Sequence, residues 1–183
     1  MKLSSILLEV MQEIAIRPKK IFGQGMEHNV YPTSDPNKIV KVGETKYVKR
    51  WLKDFESKPE VFPIIYRKGI SRDNNDLMWV VMEKVDTEQF EVDFDVLEDL
   101  LDEEAGFYGV LPALRAGIFN READKKIYSA LLKRDEEIAE FYLKLKHVVA
   151  ETLPFKKGLF KVYDFHRGQF GYDKDNNIKM FDY

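Results

Sequence analysis

Asp164-Phe165-His166-Arg167-Gly168-Gln169-Phe170-Gly171, followed after a polar turn by Lys179-Met180-Phe181-Asp182-Tyr183, is the stretch whose reading decides the fold. Its two outer acids, Asp164 and Asp182, stand eighteen positions apart. Tyr172 opens a turn through Asp173-Lys174-Asp175-Asn176-Asn177, residues that tolerate left-handed backbone, and Ile178 to Phe181 reads as a short apolar strand. The spacing therefore predicts a β-hairpin. A hairpin here brings Asp164 and Asp182 together. Two carboxylates so held suit a hard divalent cation and an attacking hydroxyl, the requirement of phosphoryl transfer.

Outward from that hairpin, 183 residues suit one domain or two closely packed lobes, enough to bury roughly 70% of the unfolded surface. A hydrophobic fraction of 44% and a charged fraction of 33% exclude disorder, and thirteen Phe and nine Tyr are the main core candidates. With 29 basic against 32 acidic residues the net charge is −3, so no global field draws nucleic acid or an anionic membrane, and neither is expected as a partner. A local basic pair stands at Lys156-Lys157. The absence of cysteine excludes disulfides and thiolate metal sites and fits a reducing cytoplasm. His28, His147 and His166 form no metal-ligand spacing. The apolar run after Met1 ends at Glu9 without a cleavage signature, and nothing approaches the roughly 20 apolar residues of a membrane span. The expected location is the cytoplasm.

Towards the amino end, Ser5 is placed to cap a helix with Ile6, Val10, Met11 and Ile14 on one face, ending before Pro18. Strands follow: Ile21-Phe22, then Gly23-Gln24-Gly25, then Asn29-Val30-Tyr31, a turn at 33–37, and Lys38 to Gly43. Glycines at 23 and 25 let backbone amides approach a phosphate, and Lys41 on the third strand can set an ammonium against it. A G-x-G pair alone more often marks a plain hairpin turn; the lysine strand is what adds to it. Lys46 to Ser57 reads as a helix with a core stripe of Tyr47, Trp51 and Phe55. On it, Glu56, with Asp54 close by, is the candidate to hold Lys41 by an ion pair, or else is a solvated acid on a helix face. A strand over Val61 to Tyr66, a polar turn Ser71 to Asp76 and a buried strand Leu77 to Met82 complete the first part.

Asp86 to Thr152 is helical in character. Asp93 to Glu104 sets Phe94, Leu97, Leu100 and Leu101 on one face, and Gly106, Gly109, Pro112 and Gly117 are expected to break the pattern. Asn120 caps a long helical pattern through Glu151, with room for an interruption, whose buried stripe is Ile127, Leu131, Ile138, Phe141, Tyr142, Leu145 and Val148. Asp135-Glu136-Glu137 reads as a solvated face, and His147 as a surface residue near a helix end. Pro154 and Gly158 close the helical region.

Taken together, these parts resemble the protein-kinase-like fold, in the branch of aminoglycoside and other small-molecule phosphotransferases and of short phage or bacterial kinase-like proteins. Phe22-Gly23-Gln24-Gly25 with Val30-Tyr31 is similar to the glycine-rich loop, Lys41 to the β3 lysine, and Val80 to Glu83 to the strand entering the hinge. Asp164-Phe165-His166-Arg167-Gly168-Gln169 resembles the D-x-H-x-x-N catalytic loop, and Asp182 sits thirteen residues beyond position 169, where that family keeps its metal-binding Asp. The resemblance implies a two-lobed α+β kinase-like fold: an antiparallel N-lobe sheet with helix over residues 1–84, and a reduced, truncated helical C-lobe over 85–183. It implies ATP and Mg²⁺ as cofactors. Asp164 would orient or deprotonate the acceptor hydroxyl, Asp182 with Gln169 would hold the metal, and Lys41 with Gly23, Gln24 and Gly25 would hold the phosphates. Val30, Met82 and Glu83 would border the nucleotide, with Glu56 steadying Lys41.

Three departures are visible. Gln169 stands where that family has Asn, placing the amide oxygen one methylene further from the backbone, and misplacing a reacting group by about 1 Å can cost ~10²-fold. Tyr183 follows the Asp in place of Phe-Gly, and the expectation is that the activation segment is absent and the family's acceptor-binding part either missing or supplied by the region 86–120. The leading expectation is Mg²⁺-dependent phosphoryl transfer from ATP to a hydroxyl on a protein or small molecule. The alternative is a catalytically impaired pseudokinase-like binding protein, a phage protein gripping a host partner in the host cytoplasm. Transfer of AMP is a third reading that the same residues allow.

Overall fold

The computed structural model describes residues 23–24, 28–71, 75–152 and 167–181. The expected helix before Pro18, the strand at Ile21-Phe22, Pro154 and Gly158 lie outside them. The chain divides into two units, Met1–Lys84 and Val85–Tyr183.

The described residues of the first unit form an antiparallel five-stranded sheet with one helix. Its strands are β1 (Gly23–Gln24), β2 (His28–Pro32), β3 (Lys38–Glu44), β4 (Ile65–Ile70) and β5 (Leu77–Glu83), in the order β1-β2-β3-β5-β4. Helix α1 (Thr45–Ser57) follows β3 directly. Period-two alternation gives β3 two working faces. Val40 and Val42 join Tyr31 and Val81 in one apolar cluster, with Leu77 and Trp79 packed against it. The opposite face of β3 carries Lys41 and meets α1, whose buried stripe is Val48, Trp51, Leu52 and Phe55.

One expected strand moves. Val61, Phe62 and Pro63 are buried but stand in a turn, and β4 begins only at Ile65. The run was apolar because it plugs the end of α1, where Phe62 stacks on Phe55 with ring centroids 4.7 Å apart. Burial, not pleating, set its composition.

The second unit is helical with one hairpin: α2 (Glu88–Leu100) running into a π-turn at Leu101–Ala105, α3 (Val110–Phe119), α4 (Arg121–Leu132), α5 (Glu136–Thr152), then β6 (Phe170–Tyr172) and β7 (Ile178–Met180). Phe90 is its centre, with the rings of Phe94, Phe141, Phe170 and Tyr172 at centroid distances of 5.4 to 6.0 Å. Asn120 caps α4 as expected, accepting from the amides of Glu122 and Ala123 at 3.0 and 3.1 Å. Two breaks were misplaced. Pro112 lies in the first turn of α3, where a missing N–H costs no helical bond. Gly117 lies inside α3 because an added Cβ would stand 2.0 Å from the Tyr142 hydroxyl. Asp135 also does more than face solvent: it accepts from the Ile138 amide at 3.1 Å at the start of α5. The chain is thus α+β, with the antiparallel sheet first and the helices after it.

Candidate functional site

Strand register arranges the candidate residues of the first unit. Gly23 pairs with Val30, Val30 with Lys41, Lys41 with Val80, and Val80 with Lys68. One line therefore crosses all five strands and joins three of the residues expected to border a nucleotide. Directly opposed residues of an antiparallel pair share a face, with Cβ atoms about 4.5–5.5 Å apart. Gln24 pairs with Asn29 at the next position, and Gly25 lies outside the described residues. Lys41 is only 9% exposed. Its ammonium lies over the Trp51 ring, 5.3 Å from the centroid.

Glu56 does not take the role expected of it. Its carboxylate meets Lys68 at 2.5 Å, and its side chain remains 40% exposed. Helical periodicity explains the difference, because Glu56 follows the buried Phe55 at the rim of the stripe and there reaches the outer strand β4, not β3. Met82 sits inside the ladder between Ile39 and Ile65. The Glu83 amide donates to the Ile64 carbonyl at 2.9 Å, while its carboxylate accepts from the Ile64 amide at 3.2 Å. Beside that reciprocal clamp, the Lys84 amide donates to the Asn37 carbonyl at 2.8 Å.

In the second unit, the hairpin forms where the sequence put it. Phe170 pairs with Met180 and Tyr172 with Ile178. Asp173 organises the turn: its Oδ1 accepts from the amides of Asp175 and Asn177 at 2.9 and 2.8 Å, and Asn176 takes the left-handed φ of +59°. Burial works against the charge on Asp173, but the Asn177 and Asp175 donors and the Lys179 ammonium at 3.5 Å outweigh it and hold the carboxyl below its ordinary range. At the other end, the Gln169 carbonyl accepts from the Phe181 amide at 2.9 Å. Gln169 is 4% exposed, and its backbone partner Phe181 is one residue before Asp182. Asp164 and Asp182 themselves lie outside the described residues.

Sequence reasoning missed what steadies this end of the hairpin. Arg167, in a 3-10 turn over Arg167–Gln169, is ion-paired with Asp95 of α2. Tyr172 donates to Asp93 at 2.6 Å, and burial with that carboxylate pushes its phenol above the usual range. The backbones of Asp86 and Tyr172 pair at 2.7 and 2.8 Å. Gly171 permits this pairing, since a Cβ there would stand 2.8 Å from the Asp86 carbonyl. These partners are 72 to 86 positions apart in sequence, and no local pattern announces them. Among the described residues no group of three or more His, Asp or Glu is arranged to hold a metal ion. No described helix is long and apolar enough to cross a membrane.

No protein-family model matches the chain, and no curated protein is similar to it. Two solved structures align with all of it: the streptomycin–ATP–APH(2")-IIa ternary complex at 15% identity and TM-score 0.40, and the gentamicin–APH(2")-IIa complex at 13% and 0.41. The chain spans 70% and 69% of those two chains.

Proposed function

We propose that this chain is a kinase-like protein that binds ATP with Mg²⁺ and transfers a phosphoryl group to a hydroxyl acceptor. The observation that carries the reading is the register line Gly23–Val30–Lys41, which sets a side-chain-free backbone and a buried ammonium on neighbouring strands. Backbone amides without a Cβ admit phosphate oxygens closely, and the ammonium of Lys41 supplies a compact positive charge. In the second unit, the backbone pairing of Gln169 with Phe181, the residue before Asp182, supports the two-acid reading. The Gln169 amide oxygen and the Asp182 carboxylate are hard donors of the kind Mg²⁺ takes, and Asp164 is the group that would orient the acceptor hydroxyl and receive its proton. Mg²⁺, when bound, would neutralise charge on the phosphates.

Calorimetric titration with ATP tests the reading, with and without Mg²⁺, on the wild type and on Asp182→Ala. Binding that requires Mg²⁺ and is lost in the variant supports it; absence of binding under every condition removes it. Phosphate transfer that survives Asp164→Ala would remove the assigned role of that acid. A second reading, a binding protein on the same scaffold, is favoured by the engagement of the Glu83 amide with Ile64. Recovery of one stoichiometric partner, unaffected by nucleotide and by Asp182→Ala, distinguishes it.

A further inference from the structure

We infer that Trp51 is a positioning residue for Lys41, holding its ammonium against the face of the indole; the inference rests on the phosphate-binding role proposed for Lys41. A lysine ends in a flexible four-carbon stem, so its charge has a defined position only where something fixes it. Among the described residues of the first unit, Lys38 lies over Tyr66, Lys46 over Tyr47, and Lys41 over Trp51. Only in the last pair are both members buried, Lys41 at 9% and Trp51 at 6% exposure. Water competes least there, and a cation on an indole face gains most when desolvated.

The ring is itself fixed. Trp51 lies 4.8 Å from Phe55, and Phe55 stacks on Phe62 at 4.7 Å. A column of three rings therefore runs from the end of α1 to Lys41, and the indole at its tip presents one face to Nζ at 5.3 Å. The same helix treats the two lysines of the register line differently. It meets exposed Lys68 with the Glu56 carboxylate and buried Lys41 with an aromatic face. A ring face attracts the ammonium through its quadrupole and takes no proton from it.

Two arms test this. In the first, Trp51→Leu, with folding checked by circular dichroism, is titrated with Mg²⁺·ATP beside Trp51→Tyr. The leucine variant is expected to bind about tenfold more weakly, and the tyrosine variant, which keeps an aromatic face, to recover most of the loss. In the second, Trp79→Phe protein, which leaves Trp51 as the sole tryptophan, is titrated while its emission is recorded. The emission is expected to change with ATP, and the change to vanish in Lys41→Met. Wild-type affinity in Trp51→Leu, equal losses in the leucine and tyrosine variants, or an ATP-dependent emission change that persists in Lys41→Met would each overturn the positioning role and leave the functional reading standing. If Trp51→Leu does not fold, the emission arm decides. Failure of the wild type to bind ATP is the separate outcome that removes the functional reading and this inference with it.

Discussion

Asp173 is a residue whose chemistry can be checked directly. Its carboxyl titrates near 3.8 in the unfolded chain and lower in the folded one. The stability it contributes is therefore whole above pH 3.8 and is lost as the pH falls through the lower folded value. Urea midpoints between pH 6 and pH 2.5 are expected to fall more steeply in the wild type than in Asp173→Asn; identical slopes would contradict the assignment. Asp173 was legible as a turn residue because an acid that bonds the amides two and four positions ahead acts locally. Lys41 was legible for the same reason, as a base inside an alternating apolar strand. Its neighbour was not. Trp51 lies in the buried stripe of α1 and Glu56, five positions on, about 140° around the helix at its exposed rim, and only the angle at which α1 crosses β3 and β4 decides which of them a given lysine meets.

At the scale of elements, the hairpin and the helices can be broken at points the packing identifies. Gly117→Ala in α3 would drive a methyl into the Tyr142 hydroxyl and disturb its 3.0 Å bond to Asp124, which also holds Lys146 at 2.6 Å. A loss of about 1–3 kcal/mol is expected by chemical denaturation, and Tyr142→Phe in the same protein should return part of it. Additive losses would show that the glycine and the tyrosine do not meet. Phe90→Ala removes the ring at the centre of the aromatic cluster that joins α2, α5 and β6, and is expected to cost about 3–5 kcal/mol. The sequence read these elements well where the signal was periodic, as in α4 and α5. It failed at Val61 to Pro63, where an apolar run fills a gap instead of pairing, and at Gly117, whose smallness answers a side chain 25 positions away.

For the whole molecule, the proposed ligand should act by mass action on both units if it binds the folded chain. Mg²⁺·ATP at a hundredfold its dissociation constant would add about 2.7 kcal/mol, a rise of roughly 5–10 °C in melting temperature for a chain of this size. Asp182→Ala should lose the part of that rise that depends on Mg²⁺; an unchanged shift in the variant would exclude Asp182 from the site. For the described residues the sequence by itself determined the order of the elements, an antiparallel sheet with a helix after its third strand and then helices followed by a hairpin, because alternation, helical periodicity and turn chemistry are local and are written within a few residues. It also singled out candidate residues for chemistry, since a lysine in an apolar strand and two acids flanking a hairpin stand out against their neighbours. Only the tertiary structure decided that Gly23, Val30 and Lys41 fall on one register line, that Glu56 serves Lys68 while Trp51 faces Lys41, that Ile64 occupies the Glu83 amide, and that Arg167 and Tyr172 are tied to α2. Each of these depends on strand register or helix crossing, which are fixed by the packing of side chains far apart in the chain and leave no local trace.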